Sequence, residues 1–294
     1  MKKNADKIKR IGLIGNSGKA LRGGVVRQAA QLIRRAGRKI FCDVETARLA
    51  GLKTECLPDA DSLAREVDLL LVFGGDGTML RVARDIAGSA TPMLGVNIGG
   101  LGFLTGVPSD GMAAALKKVW KGEFHYESRV LIETTGRCNG KRINESALND
   151  IVVSRGAVSR LISLDVSVNG ELITRYRCDG LIISSPTGST AYSLAAGGAI
   201  VLPTAEVFAL TPVCPHALSN RSIILPLSAK ITVKAVSPLP ATIISVDGQM
   251  VGELDAGDEV IIRRSRRTIR LMHLTGGSFV QALRHKLQWR GTYF

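Results

Sequence analysis

The sequence predicts an α/β N-terminal domain, Rossmann-like with a doubly wound parallel sheet. An all-β antiparallel C-terminal domain follows, and a C-terminal helix returns to the first domain. Three observations predict this. Up to about residue 122, short apolar runs alternate with segments of helical periodicity. From about Phe124 the apolar period falls to two, punctuated by Asn-Gly and Asp-Gly turns. The tail, Ser278 to Leu287, goes back to helical spacing. The expected division is 1–123 with 277–294 as a nucleotide- and phosphate-binding domain, and 124–276 as the antiparallel domain.

In chain order, Ile11 to Gly15 reads as a first strand, Asn16-Ser17-Gly18-Lys19 as a loop, and Ala20 to Ala36 as a helix. Gly12, Gly15 and Gly18 do not have the spacing of the dinucleotide fingerprint, and Gly18-Lys19 lacks that of a Walker loop. A plain turn and a phosphate contact stay equally open there. Ile40 to Val44 reads as a strand and Asp61 to Val67 as a helix. Leu69 to Phe73, Pro92 to Val96 and Met112 to Trp120 read as strand, strand and helix. In the second half, strands are expected at Leu161 to Val168, Leu172 to Arg177, Lys230 to Ala235 and Ala241 to Val246. Val260 to Arg264 and Thr268 to His273 are expected to form a hairpin.

The chain is organised around Leu71-Val72-Phe73-Gly74-Gly75-Asp76-Gly77-Thr78-Met79-Leu80-Arg81. A buried strand stops at three glycines enclosing one aspartate, and a helical segment, Thr78 to Ile86, follows. Glycines let the loop adopt φ > 0 and bring its N–H groups close to a ligand. A helix N-terminus adds unpaired N–H groups and partial positive charge, which suits phosphate. Asp76 is the odd residue, because its carboxylate repels the phosphate that the loop attracts. It is better explained by holding or deprotonating a sugar hydroxyl, or by holding a metal. A second glycine turn, Asn97 to Thr105, would lie at the same carboxyl edge of the sheet, where ligands bind.

The β half carries two polar constellations. Asn144-Glu145-Ser146-Ala147-Leu148-Asn149-Asp150 heads the strand Ile151-Val152-Val153, with a turn as the simpler reading. Arg177-Cys178-Asp179 leads into a hydroxyl run, Ser184 to Ser193, that exceeds what one helix cap needs and suits a ligand rich in hydroxyls and phosphates. Arg263, Arg264, Arg266, Arg267 and Arg270 read as the solvated face of the expected hairpin, with anion contact as the lesser alternative. His125, His273 and His285 read as structural, and His216 is open between ligand contact and packing.

Composition bounds the rest. The 294 residues hold 32 glycines and carry a net charge of +14, which favours polyanionic partners, from nucleic acid to phosphorylated small molecules. Cys42, Cys56, Cys138, Cys178 and Cys214 are scattered, without a Cys-x-x-Cys pair, which points to a reducing cytoplasm and no metal cluster. The start of the sequence carries no signal-peptide core, and no apolar stretch approaches membrane-spanning length. The Arg263–Arg270 cluster contains no aromatic residue, which weighs against nucleic acid.

Taken together, these residues resemble the ATP-dependent NAD kinases over essentially the whole chain. Gly74-Gly75-Asp76-Gly77-Thr78 is similar to a signature that the lipid kinases and 6-phosphofructokinases share more loosely. More specific are Pro186-Thr187-Gly188-Ser189-Thr190-Ala191-Tyr192-Ser193 with Ala196-Gly197-Gly198. Asn97 to Thr105, Ala147 to Asp150, Pro215 to Arg221 and Asp247-Gly248-Gln249 complete the set. Ser185 stands where Thr is usual, and Ala199 where Pro often follows the glycines.

The resemblance implies transfer of the ATP γ-phosphate to the adenosine ribose 2′-hydroxyl of NAD, with Asp76 as base. Gly74, Gly75, Thr78 and Arg81 would hold phosphates. Asp76, Gly77, Asn149, Asp150, Arg160, Arg177, Asp179, Thr190, Ala191, Tyr192, Ser193, Ala195 and Gln249 would contact NAD. Mg²⁺, or another divalent cation, would arrive with ATP, with no metal held by the protein. The protein would be a cytoplasmic homo-oligomer, dimer or tetramer, without membrane or nucleic-acid partners. The alternatives are a lipid or sugar kinase sharing only the glycine motif, or a non-enzymatic binder of dinucleotide or nucleic acid.

Overall fold

The computed structural model describes residues 7–15, 24–100, 102–158, 160–217, 219–236 and 241–289. The expected loop Asn16 to Lys19 lies outside these residues, as do the first part of the helix expected from Ala20, Leu101 and Leu218. The chain divides into two compact units, residues 1–128 with 268–294, and residues 129–267.

In the first unit β1 (Arg10–Gly15), β2 (Lys39–Asp43), β3 (Glu55–Leu57), β4 (Leu69–Gly74) and β5 (Met93–Asn97) form a parallel sheet ordered β3-β2-β1-β4-β5. Helices α1 (Val25–Arg35), α2 (Val44–Ala50), α3 (Ala60–Glu66), α4 (Asp76–Asp85) and α5 (Met112–Lys121) connect or follow these strands. Every residue of β4 is buried, as a central parallel strand requires. The order reverses between β1 and β4, the switch point at whose carboxyl edge such folds bind ligands. α2, β3 and β6 (Thr105–Pro108), which pairs with β5, are additions to the elements read from the sequence. All three are too short for their periodicity to register.

The second unit is antiparallel. One of its sheets joins β9 (Asp150–Arg155), β12 (Gly180–Ser184), β13 (Val207–Val213), β14 (Ile223–Pro226), β16 (Thr242–Val246) and β17 (Gln249–Leu254), in the order β14-β13-β12-β9-β16-β17. The other includes β10 (Ile162–Val168), β11 (Glu171–Cys178) and β15 (Ile231–Ala235), together with β7 (Phe124–Cys138) and β8 (Lys141–Ala147). Side chains from both sheets, among them Ile151, Ile183, Phe208, Leu164 and Val233, form one buried cluster. The Asn139-Gly140, Asn169-Gly170 and Asp247-Gly248 turns all have φ > 0 at both residues, the handedness that two-residue hairpins need.

One expected element is corrected. Val260 to Arg264 and Thr268 to His273 are not a hairpin but parts of one strand, β18 (Glu259–Leu274). Arg264-Ser265-Arg266-Arg267 contains no residue that favours φ > 0, so the strand continues, although the alternation slips here: Ser265 is buried between two pairs of exposed arginines. Its arginines are largely engaged: Arg263 with Glu133 (2.8 Å), Arg264 with Glu206 (3.2 Å), and Arg267 with the Ser146 hydroxyl (2.8 Å). His125 and His273 stack at 5.4 Å, and His273 Nε2 lies 3.1 Å from Glu127, a structural role for both. The last helix, α6 (Phe279–Lys286), belongs to the first unit. Ser278 caps it, and Phe279 and Lys286 both lie against the ring of Phe103.

Candidate active site

β4 delivers Gly74-Gly75-Asp76 to the carboxyl edge of the first unit's sheet. α4 begins at Asp76, two residues earlier than its apolar period suggests, with Gly75 as an N-cap that offers no side chain. The first helical turn therefore has no side-chain cap from that residue, and Thr78 N donates to the Gly75 carbonyl instead (3.0 Å). Asp76 does not cap its own helix. Its Oδ2 accepts from Phe103 N (2.8 Å) and its Oδ1 from Leu104 N (3.0 Å), so it joins the first glycine turn to the second. The second turn is shaped by buried Asn97, whose Oδ1 accepts from Gly99 N (2.7 Å) while its Nδ2 donates to Gly100 O (2.7 Å).

The glycines here act through space rather than handedness, which corrects the expectation of φ > 0. Neither Gly74, Gly75 and Gly77 nor Gly99, Gly100 and Gly102 are among the residues with positive φ. A Cβ on Gly102 would lie 1.9 Å from Asp76 Oδ1, and one on Gly74 would lie 2.2 Å from Thr78 Oγ1. Gly75 and Gly77 face open space. Arg81 Nη2 donates to Gly15 O (3.0 Å), fixing that guanidinium at the end of β1.

In the second unit the segment Leu148-Asn149-Asp150 is clamped from two sides. Asp247 Oδ2 accepts from Leu148 N (3.0 Å), and its Oδ1 from Asn149 N (2.8 Å) and Asp150 N (3.3 Å). On the other side, Ser185 N donates to Asn149 O (2.8 Å), and Ser185 Oγ donates to Leu148 O (2.5 Å). Gly188 is packed so closely that a Cβ would come within 2.2 Å of Asn149 O. Asn149 Oδ1 is buried and has no hydrogen-bond partner among the described residues. Such an acceptor is costly unless a ligand donates to it.

Sequence reasoning named Gln249 from this turn and passed over Asp247. Asp-Gly reads as a turn, and nothing local reveals that its carboxylate reaches residues about a hundred positions earlier.

The hydroxyl run is corrected in part. Ser184, Ser185, Ser189 and Ser193 are buried and spend their hydroxyls within the fold: Ser189 on Pro186 O (2.8 Å), Ser193 on Thr211 Oγ1 (3.0 Å). Thr190 Oγ1 donates to Thr187 O (3.3 Å). Tyr192, Ala195 and Gln249 are exposed, and Ala191 is half-buried. Asp179 pairs with neither Arg177 nor Arg160. Its Oδ1 accepts from Arg155 Nε at 2.7 Å, because β9 and β12 are neighbours and Arg155 N also bonds Asp179 O. Arg160 and Arg177 are exposed.

Asp150 is 5 % exposed, and burial first, then the neighbouring Asp247 carboxylate, push its pKa up to about 7. Between about pH 4 and 7 the folded chain keeps a proton that the unfolded chain has lost. Stability therefore falls as pH rises through that window and stays lower above it. Asp150→Asn, which removes the buried charge at similar volume, is expected to raise the ligand-free Tm by a few degrees at pH 8. The gain should shrink towards zero near pH 4, as followed by thermal unfolding. An equal gain at both pH values would mean that Asp150 titrates normally.

Comparison with known proteins agrees across the chain. Residues 45–124 match the profile of the ATP-NAD kinase N-terminal domain, and residues 148–274 that of the ATP-NAD kinase C-terminal domain. The NAD kinase of Cupriavidus pinatubonensis is 39% identical over 283 residues, covering 96% of this chain and 92% of its own. Yeast NADH kinase complexed with NADH superposes with a TM-score of 0.87 at 27% identity, over 98% of this chain and 90% of that one. An NAD kinase from Archaeoglobus fulgidus in complex with ATP gives 0.74 at 26% identity, over 96% of this chain and all of that one (100%). The chain belongs to the NAD kinase family.

Proposed function

We propose that Asp76 is the base of the phosphoryl transfer. The chain phosphorylates NAD to NADP with ATP as donor, and is a kinase. In the reading proposed here, Asp76 takes the proton of the adenosine ribose 2′-hydroxyl. That oxygen attacks the γ-phosphorus in line, the bond from phosphorus to the β,γ-bridging oxygen breaks, and ADP leaves. The observation that carries the assignment is the Asp76 carboxylate at the start of α4, held by the N–H groups of Phe103 and Leu104. Two fixed donors orient both oxygens and leave each a lone pair for the proton. The first-turn N–H groups of α4, open at Gly75 and Gly77, with Thr78 and Arg81, suit the phosphates.

On the dinucleotide side we assign Asn149, Asp150, Arg160, Arg177, Asp179, Thr190, Ala191, Tyr192, Ala195 and Gln249, with Ser193 reduced to its backbone. Asn149 Oδ1 would accept from a ligand amine or hydroxyl. Among the described residues no three His, Cys, Asp or Glu side chains gather as an ion cage. Mg²⁺ is assigned to the ATP phosphates, whose charge it neutralises. No helix among the described residues is long and apolar enough to cross a membrane. A cytoplasmic location is the accompanying proposal, supported by five cysteines that are all free, and a homo-oligomer is proposed on the family resemblance alone.

A coupled assay of NADP formation tests the base. Asp76→Asn is expected to lower kcat by roughly 10²–10⁴-fold with NAD affinity largely kept. Gly102→Ala, whose methyl group displaces the same carboxylate, should fall in the same range although it leaves the carboxylate in the chain. Activity of Asp76→Asn within a few-fold of wild type would assign the proton to another group.

The Arg155–Asp179 pair separates recognition from structure. If Asp179 bonds NAD, Asp179→Ala should raise the KM for NAD by about ten- to a hundred-fold. Arg155→Ala should raise it far less. Equal effects of the two substitutions would show that Asp179 serves only to hold the β9–β12 edge.

A further inference from the structure

The first unit has a second charged concavity, at the end of the sheet opposite the glycine loops. Lys9 and Arg10 open β1, Lys39 opens β2, and Asp68 immediately precedes β4. With Lys7 and Arg38 they line a cavity of about 950 Å³. β4 is six residues long, so roughly 20 Å of strand separates this cavity from Asp76. The proposed chemistry does not use it.

Its charge is one-sided. Five of these six side chains are cationic, and the one carboxylate is committed elsewhere. Asp68 Oδ2 accepts from the backbone N–H groups of Lys9 and Arg10, both at 2.8 Å. Arg10 is partly compensated, with Glu66 at 3.7 Å and Asp68 at 3.8 Å. Among the described residues, Lys7, Lys9 and Lys39 form no ion pair. Arg38 supplies a fixed wall: its guanidinium stacks on Trp120 at 3.7 Å and donates to Ile8 O (2.9 Å) and Ala36 O (3.2 Å). Backbone bonds from Lys39 N to Lys9 O (2.9 Å) and from Asp68 N to Arg10 O (2.8 Å) hold the three strand starts in place. The cavity thus joins a hydrogen-bonded floor to three ammonium groups that form no ion pair among the described residues. Like charges gathered in a concavity focus potential on whatever enters.

We propose that this cavity is a second anion site, which takes a linear oligophosphate. A single phosphate would engage only part of so wide a cation set. A chain of three linked phosphates can reach several of these cations at once, and point-charge lysines suit non-planar phosphate oxygens. The phosphate chain of a nucleoside triphosphate and a free oligophosphate share this chemistry.

Isothermal titration of the full-length protein with tripolyphosphate at low salt tests the proposal. Wild type is expected to bind at two sites per chain, one of them the ATP site. In the variant K7Q/K9Q/K39Q the second site should weaken by at least ten-fold, since three exposed contacts are each worth up to about a factor of five. Its kcat and KM for ATP should stay as in wild type, and added NaCl should weaken the second site in wild type. K7R/K9R/K39R, which keeps the charges, should retain binding. ATP binding there more tightly than tripolyphosphate would name a nucleotide as occupant, and the reverse a free oligophosphate. Either result upholds the site. Unchanged titration of the K7Q/K9Q/K39Q variant, or a single wild-type site competitive with ATP, would overturn it. So would a loss confined to binding of a short DNA duplex, which would make the cluster a nucleic-acid patch.

Discussion

The first unit depends on a carboxylate that reaches out of its own helix. Asp76 could have capped α4, as aspartates at such places often do. Instead its two oxygens take the N–H groups of Phe103 and Leu104, and two loops after successive parallel strands become one rigid rim. The contact exists because Gly102 has no Cβ at the point where Oδ1 sits. With no side chain at Gly75 or Gly77, the very start of the helix keeps open space before it, while the negative charge is held in a defined place beside it. Phosphoryl transfer needs both: donors for phosphate oxygens and a base for the incoming hydroxyl, neither neutralising the other.

The second unit solves a similar problem with similar means. Asp247, at a residue with φ of 47°, directs its carboxylate onto three consecutive N–H groups of Leu148, Asn149 and Asp150. Ser185 and Gly188 close the other side. With the backbone so fixed, the side chains of Asn149 and Asp150 can stay buried with polar atoms unsatisfied or proton-bearing, a cost that an unconstrained loop would relax away. In both units, carboxylate-to-backbone bonds across long sequence separations do the positioning, and glycine provides the clearance.

The net charge of +14 is distributed with more discrimination than composition suggests. The arginines of β18 are mostly spent on Glu133, Glu206 and Ser146, so the densest basic stretch of sequence is largely paired. The lysines at the starts of β1 and β2 are scattered in sequence yet converge in space, with their nearest acid diverted to backbone N–H groups. Local charge density in a sequence counts cations; what a ligand meets is the balance left after pairing.

Periodicity by itself determined the two-part architecture, the strand β4, the helix after it and the hairpin turns, because these are local consequences of apolar period and of residues that tolerate φ > 0. Residue chemistry singled out Asp76, because a carboxylate among glycines suited to phosphate contradicts its surroundings. Periodicity missed α2, β3 and β6, which are too short to show a period, and split β18 at a run of arginines. Only the tertiary structure decided which partner each polar group takes. Asp179 meets Arg155 because β9 lies beside β12, Asp247 meets Leu148 to Asp150 because β16 lies on the other side of β9, and the serines of 184–193 turn inward because that segment is buried. Such pairings depend on strand order and register, and a chain read one residue at a time carries neither.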